Sequence, residues 1–100
     1  MEDLNLLDAI KRLSAAGYTP EQTAFRLGLD KDDFNRRLSV GEDEWSVAYF
    51  TGFNSIELVI RESVFNLAAS GSSPAQTLAV KILEDTRKTL RKDGIGENEI

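Results

Sequence analysis

The side chains most able to do recognition chemistry are Lys31, Asn35, Arg36 and Arg37, set in the short stretch Asp30 to Leu38. Such donors can bond base edges or phosphates, and they can equally form an ordinary solvated helix face. A second group, Arg87, Lys88, Arg91 and Lys92, is the densest basic cluster in the chain. At the end of a helix these residues complement its dipole, or they meet a phosphate or a partner. Catalytic chemistry finds little here. The chain has no histidine and no cysteine, which removes the commonest general base, the commonest metal ligand and all thiol chemistry. Carboxylates are plentiful but form no pair within an apolar pattern. Gly94-Ile95-Gly96 has no strand before it and no helix after it, so it is not a dinucleotide loop, and no P-loop occurs. The expectation is a protein that is not an enzyme and carries no metal or cofactor.

The elements that must position these groups read as helices. Leu4, Leu7, Ile10 and Leu13 make a stripe at intervals of three, with Leu6 nearby, predicting a first helix over about 3–16 that ends at Gly17. Tyr18 is expected to pack over that end. Thr19-Pro20-Glu21-Gln22 is a capping box with proline at the first helical position, opening a second helix that stops at Gly28. It offers Ala24 and Leu27 inward, with Phe25 at its edge. Asp30 can cap a third helix through Leu38, whose Phe34 and Leu38 share one face. Short helix, glycine turn and short helix together predict a helix-turn-helix.

From about Asp43 to Ser70 an apolar pattern runs too broadly for the single stripe of a small core. Trp45, Tyr49, Phe53, Ile56, Ile60 and Val64 lie on it, as candidates for the core or for an interface with another subunit. Gly52 marks a place where this helix is expected to bend or break. Ser73-Pro74-Ala75-Gln76 reads as a second capping box, opening a last helix from Pro74 to about Lys92. Leu78, Ala79, Ile82, Leu83, Thr86 and Leu90 form its inner face, and Gly94 stops it. The fold class is therefore all-α, with no strand pattern of useful length. At 100 residues the chain is expected to form one compact domain, with a helix-turn-helix unit over 1–41, the long and closing helices over 42–93, and a flexible tail over 94–100.

The 100 residues carry 17 acidic against 12 basic side chains, a net charge of −5. Dedicated nucleic-acid binders are more often basic. The acidic excess, however, gathers in the middle, where Glu42, Asp43, Glu44, Glu57 and Glu62 face only Arg61. No window approaches a membrane span, and the acidic start Met-Glu-Asp lacks a signal-peptide pattern. These features suit a cytoplasmic protein.

Ala24, Gly28 and Phe34, with Leu27 and Leu29 flanking the turn, stand at the small, turn and inward positions of the helix-turn-helix pattern. With Glu44-Trp45-Ser46-Val47-Ala48-Tyr49, a long helix, Leu67-Ala68-Ala69-Ser70-Gly71-Ser72 and a final helix, the chain resembles the small subunits of bacteriophage terminases over about residues 18–88. The resemblance implies binding of viral duplex DNA for packaging and a homo-oligomeric ring. It also implies recruitment of a large terminase subunit in the cytoplasm of a bacterial host. Carried over, the base-reading face is Lys31, Asp32, Asn35, Arg36 and Ser39, with Arg26 and Arg37 towards the DNA backbone. Arg37 stands where that pattern usually has an apolar residue, and Asp30, Asp32 and Asp33 make the start of the reading helix acidic. The alternatives are an assembly module of the same fold that does not bind DNA, and a dimeric phage or prophage transcriptional regulator.

Overall fold

Local caps set most of the helix boundaries. The computed structural model describes residues 4–96, and among these the fold is all-α, with five helices and no strand. Helix α1 (Leu4–Ala15) closes as the Tyr18 amide donates to the Leu13 carbonyl at 3.3 Å. Helix α2 (Pro20–Leu27) opens on the full capping box. Gln22 N donates to Thr19 Oγ1 at 3.2 Å, and Thr19 N donates to Gln22 Oε1 at 2.9 Å. It closes at Gly28, whose φ of 69° lies in the left-handed region that a side chain disfavours. The Leu29 amide then reaches back to the Ala24 carbonyl at 2.9 Å. Asp30 caps α3 (Lys31–Leu38) by accepting from Asp33 N at 2.8 Å. Asp43 does the same for α4 (Glu44–Ala69), accepting from Trp45 N at 2.8 Å.

Helix α5 (Ser73–Lys92) corrects one expectation. Its cap is Ser72, one residue earlier than the sequence suggested, with Ala75 N donating to Ser72 Oγ at 3.4 Å. Gln76 therefore falls one position too late to close a capping box. Its amide donates instead to the Ala68 carbonyl at 3.1 Å, across the turn.

The chain divides into two units, Met1–Val59 and Ile60–Ile100. In the first, α1 packs on α2 and α2 on α3. Ile10 and Phe34 are fully buried with Ala24, and Trp45 and Tyr49 from the start of α4 complete the core. The Phe34 ring lies 5.5 Å from Trp45 and 6.3 Å from Tyr49, the latter edge-on, an arrangement that suits aromatic quadrupoles. Tyr49 Oη donates to the Tyr18 carbonyl at 2.7 Å, tying α4 to the α1–α2 turn. The apolar stripe of α1 begins later than its sequence suggested. Leu4 is 71% exposed, and the buried positions are Ile10 and Ser14.

Gly52 plays a different part from the one expected. Helix α4 continues through it, and the residue is buried. A Cβ placed there would overlap the Lys11 carbonyl oxygen and Ser14 Oγ. The missing side chain is thus what lets α4 cross α1 closely, and the packing offsets glycine's poor helix propensity.

In the second unit, a Ser70–Ser72 turn joins the end of α4 to α5, closed by the Ser72 amide on the Leu67 carbonyl at 3.0 Å. Ala75 and Ala79 are buried there, while Ile60, Leu67, Leu78 and Val80 are each more than half exposed. The flexible tail expected over 94–100 lies largely outside the described residues, as does the acidic start at Met1–Asp3. Among the described residues no helix is long and apolar enough to cross a membrane.

Candidate nucleic-acid interface

Helix α3 turns Phe34 and Leu38 towards the core of the first unit, and this orientation sends Lys31, Asn35, Arg36 and Ser39 outward. All four are exposed, as is Asp32, so the five residues of the expected reading face, four on α3 and Ser39 at its C-cap, are open to solvent. The cations there are not idle. Lys31 Nζ lies 3.5 Å from Glu21 on α2, and Arg36 pairs with Asp33 one turn earlier. Both pairs are exposed, so each holds its cation weakly and can yield to a stronger anion. The Asn35 carboxamide makes no hydrogen bond among the described residues. Ser39 Oγ donates to the Arg36 carbonyl at 2.6 Å and so helps finish the helix.

Arg37 sits apart from this face. Its Nε donates to both carboxylate oxygens of Asp43, at 3.0 and 2.9 Å, and its guanidinium carbon stands 3.8 Å from the centre of the Trp45 ring. The side chain is only 23% exposed. An arginine at this half-buried position has a physical reason. Arginine covers the tryptophan with its stem and planar head while Asp43 balances its charge. The guanidinium holds the Asp43 carboxyl below the usual carboxylate range, assisted by the amides of Trp45 and Ser46 and opposed by partial burial. This clasp fastens the end of α3 to the start of α4. The pairing of Arg37 with Asp43 and Trp45 is not among the expectations from the sequence. The signal for it is an arginine at the end of a helix followed six and eight residues later by an acid and an aromatic.

Arg26, the other backbone candidate, lies on α2 with its guanidinium 4.3 Å from the centre of the Tyr18 ring. Beside it Phe25 is 77% exposed, and the two residues border an open depression shared with Tyr18, Thr19, Glu21 and Gln22.

Of the six apolar candidates on α4, Trp45 and Tyr49 belong to the core of the first unit. Ile56 and Val64 are half-buried, and Phe53 and Ile60 are exposed. Among the described residues no group of three or more acidic side chains is arranged to hold a metal ion. Comparison with protein-family models, with characterised proteins and with solved structures finds no match to this chain.

Proposed function

We propose that this chain is a self-associating duplex-DNA-binding protein of the small-terminase type. In this reading α2 and α3 act as the helix-turn-helix and α3 is the reading helix. The observation that carries the proposal is the α2–Gly28–α3 pair. Ala24 and Phe34 are buried beneath it, and Lys31, Asn35 and Arg36 stand exposed on the outer side of a capped helix. An exposed helix carrying amide and guanidinium donors suits the major groove. The weak ion pairs of Lys31 and Arg36 are of the kind that phosphates displace.

Self-association is supported by the second unit, where Ile60, Leu67 and Leu78 stay more than half exposed and, among the described residues, the buried apolar side chains are the alanines Ala75 and Ala79. A two-helix segment with so small an interior gains most of its stability by covering such side chains. In the setting this reading implies, the cytoplasm of a phage-bearing bacterium, the assembled protein presents DNA to a large terminase subunit.

The test joins two measurements. Light scattering should give a mass of several chains, reduced by Leu67→Ser with Leu78→Ser. Anisotropy with labelled duplex at low salt should show binding that Asn35→Ala with Arg36→Ala weakens and makes less selective. A second reading, an assembly module that does not bind DNA, is favoured by the acidic partners of Lys31, Arg36 and Arg37. A stable oligomer inert towards duplex at low salt would select it.

A further inference from the structure

On the reading helix and its cap Lys31, Arg36 and Arg37 are balanced in number by Asp30, Asp32 and Asp33, so it contributes little net charge to the phosphate neutralisation on which DNA affinity rests. The other end of the chain is better equipped. Arg87, Lys88, Arg91 and Lys92 are all exposed on the last turns of α5. Helical spacing of 100° per residue sets Arg87, Lys88 and Arg91 within roughly a third of a turn of one another, with Lys81 and Lys92 flanking them. This arc lies away from Ala75 and Ala79, the buried side of the helix. Arg87, Lys88 and Lys92 form no ion pair among the described residues, while Arg91 is already engaged within the chain. Arg87, Lys88, Arg91 and Glu84 line a shallow open depression. Dipole complementation accounts for charge in the last turn, at Arg91 and Lys92. It does not account for Arg87, Lys88 and Lys81, which extend the basic arc further back along the helix.

We infer that this face of α5 is a sequence-independent docking surface for the phosphate backbone of duplex DNA. The arc from Lys81 to Lys92 runs about 16 Å along the helix axis. Duplex DNA offers about one phosphate charge per 1.7 Å of its own axis, so the arc faces several phosphates. On this surface affinity comes from charge and is the same for any duplex sequence. Glu84 is the carboxylate inside the depression and works against the surface, with Asp85 and Asp93 on neighbouring positions of the chain.

This inference rests on the proposed DNA binding, and the experiment separates the two. Labelled duplexes of two unrelated sequences are titrated with the full chain over a range of salt concentrations. The same titrations use Arg87→Gln/Lys88→Gln/Lys92→Gln, Glu84→Gln and Asn35→Ala/Arg36→Ala. The expected result for the triple variant is binding weakened roughly tenfold or more on both duplexes, with the logarithmic salt slope reduced by about 2 to 3. Glu84→Gln should tighten binding to both, a gain that no loss of folding can imitate. Binding that survives the triple variant with its salt slope intact, and is indifferent to Glu84→Gln, overturns the inference and leaves the α3 reading standing. Binding lost with the α5 variant and unmoved by the α3 variant upholds it and removes α3 as the reader. Absence of binding by the parent protein at low salt overturns both.

Discussion

Replacing Gly52 by alanine tests the closest helix crossing in the first unit. On an exposed helix this change would stabilise by about 1 kcal/mol, because alanine loses less backbone freedom than glycine. Here the added methyl would overlap the Lys11 carbonyl oxygen and Ser14 Oγ, and would lie 2.9 Å from the Lys11 carbonyl carbon. Two of these atoms are backbone, which cannot swing aside as a flexible side chain would, so α1 itself must move. Overpacking of this kind costs about 1–3 kcal/mol. The displaced Ser14 hydroxyl also stands to lose its 2.9 Å bond to the Lys11 carbonyl, worth about 1 kcal/mol more. Set against the gain in propensity, the net loss is about 1–3 kcal/mol, with each kcal/mol lowering Tm by roughly 4–8 °C.

Urea titration followed by tryptophan emission reads this directly, since Trp45 is the only tryptophan and lies in that core. Gly41, where a Cβ would meet nothing within 4 Å, supplies the control, and Gly41→Ala should be near neutral. Adding Ser14→Ala to Gly52→Ala should restore only part of the loss, because the Lys11 carbonyl stays in place. A Gly52→Ala protein as stable as its parent would refute the close crossing.

Three further outcomes follow from buried or paired polar groups. Thr23 Oγ1 is buried without a partner, so Thr23→Val should raise stability in a thermal melt by about 1 kcal/mol, with shape and χ1 stiffness kept. Tyr49→Phe should lose about 1 kcal/mol with the bond to the Tyr18 carbonyl. Burial raises the Tyr49 phenol above the ordinary tyrosine range, so its contribution is complete below about pH 10 and fades as pH rises through the raised value. Alkaline unfolding curves of the parent should show this fall and those of Tyr49→Phe should lack it. Asp43 titrates lower in the folded state, so its contribution is present above about pH 4 and lost as pH falls through its folded value. Chemical unfolding at a series of acidic pH values should show this loss in the parent and not in Asp43→Asn.

Where a structure depends on contacts three or four residues apart, the sequence made it readable. The Thr19 box, the Asp30 cap and the Gly28 turn are all of this kind, and the four-residue interval between Phe34 and Leu38 marked the inner face of α3. What depended on a distant partner was not readable. Gly52 looked like a weak point because glycine's helix propensity is a local property, whereas the reason for it lies on α1, some forty residues earlier. Ser72 took the cap from Ser73 because two adjacent serines offer the same chemistry and only the path of the turn decides between them. At the candidate interface the donors of α3 were legible by type. Their pairing with Glu21 and Asp33, and the diversion of Arg37 onto Trp45, depended on side-chain positions in space. The broad apolar pattern of α4 likewise concealed a division of labour, with Trp45 and Tyr49 buried and Ile60 and Leu67 left to solvent.

The hydrogen bond from Tyr49 to Tyr18 spans 31 residues, whereas the caps of α2 and α3 each span three. That difference sets an order of events during synthesis. Turns and helical segments form in about microseconds, so α1 to α3 can take shape as soon as they have room to do so. Phe34 then waits for Trp45 and Tyr49 to be made. At about 5–20 residues per second the interval from Phe34 to Tyr49 is about 1–3 s. For that time Phe34 lacks the two aromatic rings that pack against it in the folded chain.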